Sequence, residues 1–147
     1  MAGGNNLQVQ NLAGLIYGEA ASEDYDTMKM VGSTVINRLL SKRNNEFGHG
    51  LGEIMNKENA YYAVQNQNEP YRQAMTKNFP DEGSANKYKR ALAIASGLVQ
   101  GTISPSKGQF YFKKDEIKKL KKKGKKAFNF KAVKEVDSVG DYQVFGY

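Results

Sequence analysis
The sequence predicts an α+β, mostly α fold: a single domain over residues 1–147, with a helical body and a small β region towards its C-terminus. Three observations carry this reading. Apolar residues recur at helical spacing through the first two-thirds of the chain. After Gly101 they give way to short aromatic and β-branched runs separated by turn residues. No stretch rich in Pro, Gly or Ser divides the chain, and 147 residues suffice for one substantial core but not for two ordinary ones.

Val9, Leu12, Ile16 and Glu19, with Leu15 beside them, define one stripe of a first helix over about residues 6–20. "SEDYD" follows, in which Ser22 and Asp24 both suit an N-cap. Met28, Val31, Val35 and Leu39 then mark a second helix that ends near "SKRNNEFGHG". "LGEIMNK" has room only for a short helix, whereas "ENAYYAVQNQ" lacks helical period and reads as irregular or extended. Asn68 suits the cap of the next helix, with Pro70 in its first turn, where a missing N–H costs least. Tyr88, Leu92, Ala95 and Val99 form the buried stripe of the helix over "GSANKYKRALAIASGLVQG", with Ser84 as its expected cap and Gly101 as its stop. "GQFYFKK", "FNFKAVKEV" and "YQVFGY" supply the expected strands.

The net charge of +7 is local. In "KKDEIKKLKKKGKK", residues 113–126, nine lysines face only Asp115 and Glu116, while the basic and acidic residues elsewhere balance. Lys118, Lys119, Lys121, Lys122 and Lys123 at its centre are the expected contacts for an anionic polymer: nucleic acid, anionic lipid or bacterial wall. A solvated lysine face is the alternative. The chain has no cysteine and one histidine, His49, so neither a disulfide nor an all-protein zinc site is expected, and no cofactor is implied. "MAGGNNLQVQ" lacks a basic start followed by an apolar run, so no secretory signal is expected.

Within "LAGLIYGEAASED", Glu19 falls on the apolar stripe near the helix C-terminus. Desolvation and the negative end of the helix dipole both disfavour the anion there. A glutamic acid kept protonated near neutral pH suits a general acid, and glycosidic cleavage is its best-known use, because a sugar alkoxide leaves poorly without a proton. The alternative is a glutamate at a frayed helix end, turned to water.

"IYGEAASED" followed by "TVINR", Thr34 to Arg38, resembles the signature of the SleB-type cell-wall hydrolases, a family of spore-cortex-lytic enzymes and related bacteriophage proteins. Later stations of that pattern match loosely at Ala60 to Val64, Ala91 to Val99, Phe110 to Phe112 and Gly140 to Tyr147, in order along the chain. The resemblance implies a lysozyme-like fold that cuts peptidoglycan between N-acetylmuramic acid and N-acetylglucosamine, in several members as a lytic transglycosylase. It assigns the catalytic acid to Glu19 and the motif's second acid to Glu23, which serves equally as a cap or as support for the loop. The chain departs from the pattern at Ala21, where arginine is usual, at Tyr62, where a small hydroxyl residue is usual, and at Gln143, where histidine is common.

Thr34 and Asn37, one turn apart on the expected polar side of the second helix, are candidates for binding sugar hydroxyls or an acetamido group, or else surface residues. Tyr61, Tyr62, Tyr111 and Phe112 suit stacking on sugar faces or packing in the core. Tyr62, Tyr111 and Gln143 complete the expected substrate-binding set, with no metal. A second carboxylate across the cleft, which a hydrolase needs, has only Glu23, Asp24, Asp26 and Glu46 to draw on, so the one-acid transglycosylase mechanism is favoured. Peptidoglycan strands are the expected partner, with phage virion or lysis proteins beside them, and phage delivery or non-Sec export as the expected route to the wall. Two rivals stand: a nucleic-acid-binding module built on the lysine segment, for which the helix-first order is unsuited, and a non-catalytic structural or adaptor protein of a phage particle.

Overall fold
A computed structural model describes residues 2–147. Its elements run α1 (Ala2–Ala20), α2 (Tyr25–Leu40), α3 (Asn44–Phe47), α4 (Leu51–Asn56), α5 (Tyr62–Asn66), α6 (Glu69–Thr76), α7 (Glu82–Gln100), β1 (Phe110–Lys113), α8 (Lys114–Lys123), β2 (Lys134–Val139) and β3 (Tyr142–Gly146). The mostly helical α+β architecture is therefore observed, with all three strands after α7.

α1 is the central element, packed by α2, α6 and α7. It begins earlier than its periodicity predicts, and it is not one-sided. Leu12, Ala13, Leu15, Ile16 and Tyr17 are sealed together, so the helix is buried almost all round from Leu12 onwards. Gly18 allows the close approach of α5 and α6. A Cβ there would stand 2.6 Å from Ala63 Cβ and 3.1 Å from Tyr71 Cβ. Gly32 plays the same part where α2 crosses, beneath Ile16 and Leu98.

Caps fix the helix starts. Asp24 caps α2 by accepting from the Thr27 N–H at 2.9 Å, which settles the choice against Ser22. Asn68 caps α6 through the Tyr71 N–H, with Pro70 in the first turn as expected. The cap of α7 is Asp81 rather than Ser84. Ser84 supplies the N–H that Asp81 accepts at 2.7 Å, so the helix starts earlier than its apolar stripe suggests. Gly101, at φ +83°, ends α7 as expected.

"ENAYYAVQNQ" is not extended: Tyr62–Asn66 forms the short α5, ended by Gln67 in the left-handed region. "FNFKAVKEV" is only partly a strand, because Phe130–Ala132 makes a 3₁₀ turn and β2 begins at Lys134. The sheet order is β1-β3-β2, antiparallel throughout, with β2 and β3 joined at Gly140 (φ +54°) and Asp141. Tyr111 pairs with Val144, and this face of the sheet carries the buried Tyr142 and Val144 into the main core. The opposite face carries Phe112 and Phe145, which pack with Phe128 and Phe130 from the segment after α8.

Candidate functional site
Glu19 stands one residue before the end of α1, where the central helix meets both α5 and β1. The Ala63 backbone N–H, in the unpaired first turn of α5, donates to Glu19 Oε2 at 2.7 Å. The Tyr111 hydroxyl donates to Oε1. Asn68 adds a tie beneath, donating from Nδ2 to the Gly18 carbonyl at 3.0 Å while its Oδ1 caps α6. The carboxyl is thus only partly buried but fixed at both oxygens, and its reading as a frayed side chain turned to water is excluded.

Two cavities, of about 490 and 380 Å³, meet at this carboxyl. They share Glu19, Tyr62, Tyr111 and Phe112. The larger runs past Arg38, Glu46, Phe47 and Phe110, and the smaller past Asn68, Lys113 and Tyr142. Glu19 therefore sits in the wall common to two adjoining open cavities, together the trough, rather than at the bottom of a closed pocket. Tyr62, 68% exposed, offers a bare ring at the junction.

Behind Tyr111, the wall of the trough is a packed polar–aromatic layer. Thr34 donates to the Val31 carbonyl at 2.7 Å, so at the 2.9 Å contact with Tyr61 it accepts from the phenol. Burial raises the Tyr61 pKa, which the neighbouring Arg38 partly offsets. Burial, and after it the facing Glu19 carboxylate, hold the Tyr111 phenol well above its ordinary value of 10.0. Both tyrosines are therefore neutral hydrogen-bond donors at any physiological pH.

The sequence-predicted site residues separate into three groups. Glu19, Tyr62 and Tyr111 come together. Thr34 and Asn37 do not lie on a polar face. Thr34 is 0% exposed, a prop for Tyr61 rather than a sugar contact. Asn37 spends both amide hydrogens on the carbonyls of Ser106 (2.6 Å) and Gly108 (2.8 Å), which pins the segment entering β1. Both corrections have one cause: a helical hydroxyl or amide satisfied by backbone carbonyls has no need of water. Gln143 and Glu23 line neither cavity. Gln143 donates to Glu135 across the β2–β3 pair, and Glu23, next to the Asp24 cap, does not itself cap α2. Lys118, Lys119, Lys121, Lys122 and Lys123 are exposed on α8, away from Glu19, with Lys121 over the Phe130 ring.

The sequence reading missed the Ala63 N–H. The short α5 has no period to detect, and a backbone donor has no side-chain signature; the nearest signal was Gly18, a small residue directly before the acid. Among the described residues no group of three or more His, Cys, Asp or Glu is placed to hold a metal ion, and no helix is long and apolar enough to cross a membrane. No family model matches the chain, and no curated protein or solved structure is significantly similar to it.

Proposed function
We propose that this chain cleaves the glycan strands of bacterial peptidoglycan between N-acetylmuramic acid and N-acetylglucosamine, as a lytic transglycosylase on a lysozyme-like scaffold of the SleB type. The observation that carries the proposal is Glu19, held at both oxygens in the wall common to the two open cavities of the trough. A polymer cut internally needs subsites on both sides of the reacting acid, and a trough supplies them where a closed pocket does not. The resemblance of "IYGEA" and "TVINR" to the family signature points to the same residue.

In this mechanism the Glu19 carboxyl gives its proton to the bridging oxygen as the bond to the muramyl anomeric carbon breaks. The resulting carboxylate takes the proton from the muramyl C6 hydroxyl, whose oxygen attacks the anomeric carbon and closes a 1,6-anhydro ring. One carboxyl suffices, because no water enters. Tyr111 and the Ala63 N–H keep the carboxyl in one orientation through both transfers, which is the positional part of the rate. Tyr62 and Phe112 supply faces for sugar rings. The exposed lysines of α8 hold the protein to anionic wall polymer.

Mass spectrometry of fragments released from purified peptidoglycan tests the reading. Anhydromuramyl ends are expected, and Glu19→Gln abolishes their release. Reducing muramyl ends in their place convert the reading to a hydrolase. No release from intact, cortex-type or de-O-acetylated wall overturns the enzymatic reading, and tight salt-sensitive nucleic-acid binding without lysis favours the binding module.

A further inference from the structure
Arg38 is the buried cation of the trough. It is 8% exposed, and its guanidinium carbon lies over three rings: Tyr61 at 4.7 Å, and Phe47 and Phe110 each at 5.2 Å. Its Nε donates to the Gln109 carbonyl at 2.8 Å, and this is the side chain's one hydrogen bond among the described residues. The same residues leave no sealed side-chain nitrogen without a partner, so the terminal nitrogens of Arg38 reach the larger cavity that the side chain lines. Burying a guanidinium without a carboxylate beside it is costly, and aromatic faces recover only part of that cost. The rigid fork of the guanidinium, fixed at Nε and clamped between rings, is organised to take a planar carboxylate. Of the acids lining that cavity, Glu19 is tied to Ala63 and Tyr111, both Glu46 oxygens accept from the Tyr147 hydroxyl, at 2.8 and 3.0 Å, and Glu58 is exposed; among the described residues none of the three bonds the guanidinium.

We infer that Arg38 forms an anion subsite in the trough that binds a carboxylate of the substrate, and, resting on the glycan reading above, that this carboxylate is the free lactyl group of a muramic acid. That group is ionised only where no peptide is attached. The preferred substrate is therefore glycan stripped of its peptides. Because Arg38 lines only the larger cavity, the carboxylate-bearing sugar lies on that side of Glu19, which gives the strand a direction.

The test is calorimetric titration of the full chain carrying Glu19→Gln with three soluble tetrasaccharides. These are peptide-free muramyl glycan with free lactyl carboxylates, the same glycan with those carboxylates converted to methylamides, and the neutral N-acetylglucosamine tetramer. The free acid binds about tenfold tighter than the methylamide or better, as expected for a charge-assisted pair. This preference survives added salt, because a buried pair is poorly screened, and survives replacement of the five central α8 lysines by glutamine. Arg38→Gln removes it while leaving the methylamide affinity in place. If Arg38→Gln does not fold, the acid–methylamide comparison in the Arg38 chain still decides. Equal affinity for acid and methylamide overturns the inference and leaves the glycan reading standing. A preference lost with salt or with the α8 lysines belongs to α8 and overturns the assignment to Arg38. Failure of all three glycans to bind overturns both readings.

Discussion
Tyr111 and Glu19, 92 positions apart in the chain, are joined by a hydrogen bond from phenol to carboxylate. Tyr111→Phe keeps the ring and removes only this bond. Wall cleavage falls about tenfold or more, the value of one hydrogen bond to a charged group, with an unchanged circular dichroism spectrum. Because burial and the Glu19 carboxylate hold the Tyr111 phenol well above 10.0, no alkaline limb below pH 10.0 in the rate profile belongs to Tyr111. Tyr111→Phe therefore abolishes no alkaline limb below pH 10.0, and loss of such a limb with the phenol would count against this arrangement.

Gly18→Ala tests the close approach directly before the acid. The new Cβ meets Ala63 Cβ and Tyr71 Cβ, neither of which is the movable end of a flexible side chain. The first turn of α5 has to shift, and the Ala63 N–H shifts with it. Destabilisation of about 1–3 kcal/mol is expected, as for other overpacked sites, together with loss of cleavage. Gly32→Ala is the control: its Cβ meets Ile16 Cδ1 and Leu98 Cδ1 at 2.8 Å, away from Glu19. Thermal melts and wall turbidity separate the two, because only Gly18→Ala loses more activity than its stability explains.

Asn37 is predicted to matter for stability and not for sugar affinity. Asn37→Ala leaves the Ser106 and Gly108 carbonyls without their donor and costs about 2 kcal/mol in denaturant unfolding. Asn37→Asp is worse, since its carboxylate oxygens then face carbonyl oxygens. Equal stability of all three proteins would place the amide in the trough instead of on the strap.

At high pH the fold is expected to fail cooperatively. Burial raises the pKa values of Tyr61, Tyr71, Tyr111, Tyr142 and Tyr147 above 10.0 in the native state, whereas the unfolded chain ionises near 10.0. The unfolded state releases those protons first, so stability is full below pH 10.0 and is lost as pH rises through the native values. Ionisation of these five, followed one by one through Tyr→Phe difference spectra, should accompany the loss of the far-ultraviolet circular dichroism signal. Ionisation of these five near pH 10.0 with the helical signal intact would contradict their raised values.

The Asp24 cap gives the acid-side counterpart. The Thr27 N–H, bonded to its carboxylate, holds the Asp24 pKa below 3.8. This contribution is present above pH 3.8 and is lost as pH falls through the lowered native value. Asp24→Asn keeps an acceptor for Thr27 and melts close to the parent at neutral pH, whereas Asp24→Ala melts lower. Identical melts for the Ala and Asn proteins would remove the cap from the account.

Elements whose signals are local were legible before the structure. Asn68 with Pro70 marked α6, and Gly101 marked the end of α7, because a cap or a left-handed glycine is a property of a few adjacent residues. Glu19 was legible because a carboxylate on an apolar stripe breaks the pattern around it. What escaped depends on partners distant in sequence. Thr34 and Asn37 read as polar surface because the carbonyls and the phenol that satisfy them come from other parts of the fold. The apparent one-sidedness of α1 hid that Ala13, Gly14, Gly18 and Ala20 are buried with Leu12 and Leu15. α5, five residues long, is too short to carry a period at all.

The pairing of β1 with β3 has a consequence in time. Glu19 emerges early in synthesis, and α1 can bury itself once α2, α6 and α7 have followed. Its phenolic partner, however, lies on a strand whose sheet neighbour among the described residues is β3, residues 142–146. A nascent chain thus carries its acid for well over a hundred residues in a setting that lacks the Tyr111 donor. On the proposed transglycosylase reading, the helical half, however well packed, is an idle precursor until closure of the sheet brings that donor to Glu19.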